Sequence, residues 1–328
     1  VTWISLRSHP LQYDIRPTIK KRAGEFSAML ASCMVLYFVS SIDQSHIKDN
    51  AEASEIAANG IYNLFSAFWN NEISYDRFYA TRSDAEITKN ARNLLWEVES
   101  KFVHKDGKDL TRLIRAKGAE KHKNVILVVM ESMSADYMGI YGNKNGLTPN
   151  LDRLAEKGLF FSNLYATGTR TVRGLEALTL SIPPTPGQSI IRRPGNDNLF
   201  SLGFVFQDRG YDTKFIYGGY GYFDNMNNFF AGNGFEIVDR TSVSKEEIHF
   251  ANVWGVCDED MFTRALKEAD ESYSKGNPFF HLIMTTSNHR PFTYPEGRID
   301  ISSHSGRLGG VKYADYSVGK LIEDAKHK

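Results

Sequence analysis

From Asn124 to Met130 the chain reads NVILVVM, an unbroken apolar run rich in β-branched residues. A strand with one wet face alternates apolar and polar positions. A run without alternation marks a strand covered on both sides, which is the habit of parallel sheets carrying helices on each face. The residues that follow keep to that pattern. Thr148-Pro149 opens a helix that stops at Gly158, with cap, first-turn proline and terminal glycine in their usual places. LFFSNLYA (159–166) reads as a strand, a helix follows from near Val172, and another runs from Asn198 to Arg209 before Gly210. TKFIYG (213–218) is a strand, Asp258 caps a helix running toward Gly276, FFHLIMTT (279–286) is a strand, and a last helix begins near Val311. Strands alternating with helices predict an α/β sandwich, a mostly parallel sheet flanked by helices.

The N-terminal part is of another kind. Phe26 to Ile42 is free of charged residues for 17 positions, the lower limit for crossing the hydrocarbon core. Arg16, Lys20, Lys21 and Arg22 precede it and Asp43 follows. The positive-inside rule puts the first 25 residues on the cytoplasmic side and everything after Ile42 outside. The competing reading is a buried soluble helix, since four serines interrupt the stretch. Two amphipathic helices follow, at 49–70 with Ile61, Leu64, Phe65 and Phe68 on one stripe, and at 83–102 with Ser83 and Glu86 as a capping box. The expected division is 1–25 cytoplasmic, 26–42 transmembrane, 43–118 helical linker and 119–328 catalytic. Val1 is not a methionine and the last five residues read as the middle of a helix, so the domain is expected to be C-terminally incomplete.

Lysine plus arginine and aspartate plus glutamate number 39 each, so no global basic field exists to hold nucleic acid. Two cysteines, Cys33 and Cys257, make neither a disulfide framework nor a zinc site.

In open α/β sheets ligands gather at the carboxyl ends of the strands, and three such ends carry reactive residues. Glu131, directly after NVILVVM, is placed as a hard oxygen ligand for a divalent metal, or as a capping or salt-bridged glutamate. ATGTRTVRGLEALTLS (166–181) turns from a strand end into a helix near Thr171, where a hydroxyl sits beside free amides; an ordinary threonine cap is the alternative. His289, in TTSNHRPF, is placed as a general acid or phosphate-binding group, or as a structural histidine.

NVILVVMESMSADYMGIYG, LTPNLDRLAEKGLFFSNLYATGTRTVRGLEA, FIYGGYGYFDNMNNFFAGNGF and MTTSNHRPF, in that order, resemble the lipoteichoic acid synthase and phosphoglycerol transferase branch of the sulfatase/alkaline phosphatase superfamily, over roughly 119–328. The resemblance implies an alkaline phosphatase-like sandwich on a membrane anchor, with the catalytic domain facing outward. It implies Glu131 as a metal ligand, Thr171 as nucleophile and metal ligand (Thr169 is the alternative), and His289 on the substrate. Mn2+ is the expected metal, with Mg2+ the second choice. Arg173 is expected as a guanidinium clamp, and Asp224 and Asn225 as pocket residues where the synthases carry a tryptophan and an arginine. The family's further Asp-His metal pair lies on a later strand that these 328 residues do not reach. Asp258, Asp260 and His304 are in the wrong context to replace it.

The expected reaction moves a phosphoglycerol-type group from an anionic phospholipid to a glycolipid, glucan or polymer hydroxyl through a threonine-linked intermediate. Hydrolysis of a sulfuric ester or phosphodiester is one alternative, although a formylglycine sulfatase needs a proline between Thr169 and Arg173 that is missing. An inactive headgroup-binding module is the other.

Overall fold

The computed structural model describes residues 18–41, 44, 47, 51–69, 79–104, 107–115 and 117–328. The chain divides into two compact units, Val1–Tyr79 and Ala80–Lys328.

In the first unit α1 spans Ile19–Val39 and is long and apolar enough, by length and composition, to cross a bilayer. It begins ahead of Phe26 and takes in Lys20, Lys21 and Arg22; Arg16, Ile42 and Asp43 lie outside the described residues. The single helix expected over 49–70 is two, α2 (Ala51–Ala57) and α3 (Gly60–Trp69); 49, 50 and 70 are outside the described residues. The break falls at Asn59, whose Oδ1 accepts from the amides of Ile61 and Tyr62 and so starts a new helix. The stripe Ile61, Leu64, Phe65 and Phe68 is exposed rather than packed.

In the second unit α4 (Asp84–Leu95) starts at Ser83, whose hydroxyl accepts from the Glu86 amide. It does not run on to Phe102. Trp96 leaves the helical region, and Ser100–Phe102 is instead β1, paired antiparallel with β2 (Arg112–Ile114). Side chains hold the joint: Arg112 donates to the Leu95 carbonyl, and Arg92 to the carbonyls of His104 and Asp109.

The main sheet contains β3 (Val125–Val129), β4 (Asp212–Tyr217), β5 (Glu236–Val238) and β8 (Phe279–Met284) in the order β3-β8-β4-β5, parallel throughout. Between β5 and β8 a small hairpin joins β6 (Ala251–Asn252) to β7 (Gly255–Val256). The helices are α5 (Pro149–Lys157), α6 (Thr171–Leu180), α7 (Leu202–Gln207), α8 (Met226–Ala231), α9 (Asp258–Ser274) and α10 (Arg307–Lys326).

Side chains alternate across the sheet with period two. Phe215, Tyr217, Phe280, Leu282 and Met284 face one core, with Leu175 of α6 and Phe229 and Phe230 of α8. Ile216 and Ile283 face the other, with Met261 and Phe262 of α9 and Val318 and Leu321 of α10. Each such buried side chain contributes roughly 1.5–3 kcal/mol.

Three element expectations change. LFFSNLYA is not a strand: Leu159, Leu164 and Tyr165 are at least 80% exposed, and no described strand pairs with it. The helix expected from Asn198 begins only at Leu202, because Asn198 sits at φ 55° and Ser201 supplies the cap to the Phe204 amide. Asp258 is the first residue of α9 rather than its cap; Cys257 holds the cap position. Parallel strands bring their carboxyl ends to one edge, so the segments after β3, β4 and β8 meet there.

Candidate active site

A cavity of about 380 Å3 opens at that edge, lined by residues after β3, at the end of β4, at the start of α6 and after β8. The Thr171 hydroxyl donates to Glu131 Oε2 at 2.8 Å. Ser132, at φ 53°, donates to the other oxygen, Oε1, at 2.8 Å. Thr171 is therefore not a cap. The N-cap residue of α6 is Arg170, and the threonine is the first helical residue, with its oxygen turned to the glutamate. Thr169 lines the same cavity.

The backbone of Glu131 is pinned from β8. Its amide donates to Thr285 Oγ1 at 2.8 Å, and its carbonyl accepts from Asn288 Nδ2 at 2.9 Å. Arg307, at the start of α10, donates to the Ser132 carbonyl at 2.8 Å. The segment bearing Thr285 and Asn288 is held in turn by the fully buried Asp258, whose Oδ1 accepts from the amides of Thr286 (2.9 Å) and Ser287 (3.0 Å). Burial pushes the Asp258 carboxyl above its ordinary range, against the pull of those amides.

His289 lines the cavity, its ring 3.9 Å from that of Trp254. Its Nδ1 faces the Arg290 carbonyl at 2.9 Å, an arrangement that favours the proton there and leaves Nε2 for a ligand. Trp254 Nε1 donates to the same carbonyl at 2.5 Å, so indole and imidazole are fixed together. Tyr217, at the end of β4, is 8% exposed and lines the cavity. Burial first, then the charges of Glu131 and Asp224, push its phenol up to about 12, so it stays a neutral donor.

The remaining expected residues part company. Asp224 lines the cavity, at φ 53° and 3.5 Å from the Arg192 Nε. Asn225 does not line it; its Nδ2 donates to the Ile191 carbonyl at 2.8 Å and it faces a neighbouring groove. Arg173 is also outside the cavity lining: it pairs with the buried Glu176 at 2.8 Å and donates to the Gly187 carbonyl. The arginine beside Thr171 in the cavity is Arg170, with no ion pair among the described residues. Arg170, Tyr217 and Trp254 escaped sequence reasoning. No local signal marks Arg170, because which arginine faces the cavity depends on the residue at which α6 starts.

Glu131 and Thr171 bring two hard oxygens together, the chemistry that suits a divalent cation such as Mn2+ or Mg2+. Their number is short of a closed coordination shell, and no group of three or more His, Cys, Asp or Glu that could hold a metal occurs among the described residues. Asp260 pairs with His249 at 2.8 Å, and Asp258 is committed to the loop after β8.

The hydroxyl, carboxylate, arginine and histidine stand together at the carboxyl edge of a parallel sheet, the place where open α/β folds hold their ligands. The sulfatase family model matches residues 123–328, and the chain belongs to that family. A curated relative, lipoteichoic acid synthase of Staphylococcus saprophyticus, is 26% identical over 225 residues, 64% of this chain and 34% of that protein. The Staphylococcus aureus synthase is 25% identical over the same length. The match thus spans about 34% of the relatives' own length. Among solved structures, a Vibrio parahaemolyticus protein of the alkaline phosphatase superfamily is 34% identical with a TM-score of 0.68, covering 78% of this chain and 62% of that one. LtaP, a lipoteichoic acid synthase of Listeria monocytogenes, shares the fold at 22% identity and a TM-score of 0.56, covering 63% of this chain and 53% of its own.

Proposed function

We propose that the chain is the core of a membrane-anchored phosphotransferase that moves a phosphoglycerol-type group from an anionic phospholipid to a hydroxyl acceptor, by way of Thr171. The observation that carries this reading is the 2.8 Å hydrogen bond from Thr171 Oγ1 to Glu131, inside a cavity that also holds Arg170. Thr171 Oγ attacks phosphorus, the bond from phosphorus to the lipid alcohol breaks, and the threonine proton leaves along the bond to Glu131. The departing alcohol takes up a proton, and a phosphothreonine ester remains. An acceptor hydroxyl then attacks phosphorus, the Thr171 ester bond breaks, and the proton returns to Thr171.

Arg170 holds the phosphoryl oxygens with charge-assisted hydrogen bonds. His289 Nε2 accepts from a glycerol hydroxyl when neutral and donates to a phosphate oxygen when protonated. Asp224 is a further group on the substrate. A divalent cation, Mn2+ first and Mg2+ second, belongs to this reading: when bound it neutralises charge at the phosphoryl oxygens, with Glu131 and Thr171 the donors this part of the chain supplies.

Lys20, Lys21 and Arg22 at the start of α1 orient the N-terminal side inward, so residues 43–118 are an extracytoplasmic linker and 119–328 the catalytic part, tethered to the bilayer that contains the donor.

The test is phosphatidylglycerol labelled in its head phosphate, incubated with Mn2+ and the protein, followed by mass spectrometry of the peptide bearing Thr171. A phosphoglycerol adduct on Thr171, absent in Thr171→Ala, is expected. Turnover undiminished in Thr171→Ala refutes the nucleophile. Release to water alone identifies a phosphodiesterase, and no turnover with retained lipid binding identifies a headgroup-binding module.

A further inference from the structure

For a helix in water, α3 is inside out. Its ten residues, Gly60–Trp69, carry no charge. Ile61, Leu64, Phe65 and Phe68 fall within about 100° of arc at 3.6 residues per turn, with Tyr62 and Trp69 on the flank. Those four and Trp69 are 59–77% exposed. The opposite face is the one turned inward, where Asn63 and Ser66 are half-buried. A helix on the surface of a water-soluble domain does the reverse: it buries its apolar stripe and wets its polar face. A contiguous apolar face of this kind marks a surface that something covers.

The occupant follows from where the helix starts. The Tyr62 hydroxyl donates to the Ser40 carbonyl at 3.1 Å, and Ser40 is the C-cap of α1. Asn59 fixes the same turn, its Oδ1 accepting from the amides of Ile61 (3.1 Å) and Tyr62 (3.0 Å). The first turn of α3 is therefore tied to the end of α1, the one helix among the described residues long and apolar enough to cross a bilayer, no residue of which is buried. With α1 in the bilayer, Ser40 stands at the boundary between hydrocarbon and water. Tyrosine and tryptophan collect at that level, ring in lipid and polar tip in water, and α3 carries one of each. Ten residues of helix are about 15 Å long against a hydrocarbon core of about 30 Å, so α3 is too short to be a second span.

We propose that α3 is an interfacial helix: it lies along the bilayer surface at the end of α1, with Ile61, Leu64, Phe65 and Phe68 immersed in lipid. Helices of this habit ordinarily add lysine or arginine for anionic headgroups. α3 has neither, so its attachment rests on apolar area alone and is indifferent to lipid charge and to salt. The linker is thereby held at the lipid surface where it leaves α1. The inference rests on α1 as a span and on nothing at the catalytic cavity.

Spin-label accessibility tests it on the full chain, one copy per phosphatidylcholine nanodisc. Cys33 is exposed and is replaced, Cys33→Ser; Cys257 is buried and stays. A nitroxide is placed at Leu64→Cys or, for reference, at Leu30→Cys within α1. The Leu64 label is expected to meet oxygen but not a water-soluble nickel chelate, at a depth of about 5–10 Å, with the Leu30 label deeper. Phe65→Glu with Phe68→Glu should bring the Leu64 label into contact with nickel and leave the Leu30 label where it was. Depth should not change when phosphatidylglycerol is added or salt is raised from about 0.05 to 0.5 M. A Leu64 label reached by nickel without the glutamates overturns the proposal. So does one closed to both reagents, which means that the face is packed on protein, or a depth that follows lipid charge or salt. A Leu30 label in water refutes α1 as a span and takes the placement of α3 with it, whereas loss of the Thr171 adduct leaves both untouched.

Discussion

At the scale of single residues, the contest is between groups that hold structure and groups left for a ligand. A threonine at a helix start ordinarily caps it, whereas Thr171 gives its hydroxyl to Glu131 because Arg170 already occupies the cap position. Two arginines three residues apart divide in the same way. Arg170→Ala should lower kcat/KM for the lipid donor by about 10–100-fold, the worth of a charged hydrogen bond, and leave the urea midpoint unchanged. Arg173→Ala should do the reverse. It strands the carboxylate of Glu176, which is 0% exposed, and costs about 3 kcal/mol in urea unfolding. If Arg173→Ala proves stable and inactive while Arg170→Ala is neutral, the two roles have been exchanged. Glu131 and His289 could be singled out because each follows a buried strand; which arginine faces the cavity could not, since that depends on where α6 starts.

At the scale of elements, the site is assembled by short segments fixed to the ends of long ones. Trp254 reaches His289 because β7 lies against the end of β4, and a Cβ on Gly255 would come within 2.2 Å of the Gly218 carbonyl oxygen. Gly255 also sits at φ 151°, so Gly255→Ala is strained twice. It should destabilise the fold by about 2 kcal/mol or more and shift tryptophan fluorescence; an unchanged spectrum and melting curve would mean the hairpin is not built on that contact. The other fixture is Asp258. Asp258→Ala removes the acceptor of the Thr286 and Ser287 amides, and hydrogen exchange there should accelerate about 10-fold or more as each loses roughly 1–3 kcal/mol of protection. Slow exchange retained at both amides would show the loop to be held by other means. The alternation of apolar runs and helix signals made β3, β4, β8, α5 and α9 readable. LFFSNLYA has strand propensity but no paired neighbour among the described strands to realise it, and nothing local marks the helix end at Leu95, whose carbonyl accepts from the distant side chain of Arg112.

At the scale of the whole molecule, a buried polar cluster on the face of the sheet under α9 sets acid stability. Burial, with the Lys214 charge adding, pushes His281 down from 6.5 to about 4, although the Glu268 and Asp212 charges pull the other way. The unfolded chain therefore binds a proton that the folded chain refuses, and stability falls as pH drops from about 6.5 to 4, by on the order of 3 kcal/mol. Glu268, which burial alone would raise, is held low by Lys214 and Arg264, and its contribution is also lost toward acid. His281→Leu should flatten the dependence of Tm on pH above pH 4; an unaltered slope would show that His281 is not its source. Orientation is tested separately: an alkaline phosphatase reporter fused after Lys328 should be active in cells and a cytoplasmic reporter inactive, and the opposite result reverses the proposed topology.

Local chemistry carried much of this protein. Unbroken apolar runs announced a parallel sheet, caps and glycines marked several helices, and the charges beside α1 suggested which side of a bilayer each end occupies. These features depend on residues within a few positions of one another. The rest arises between residues far apart in the chain. Thr285 and Asn288 grip the Glu131 backbone from more than 150 positions away, Arg170 rather than Arg173 faces the cavity, and Asn225 turns from the site to the groove beside it. Periodicity states which face of an element is buried; only packing states what that face meets.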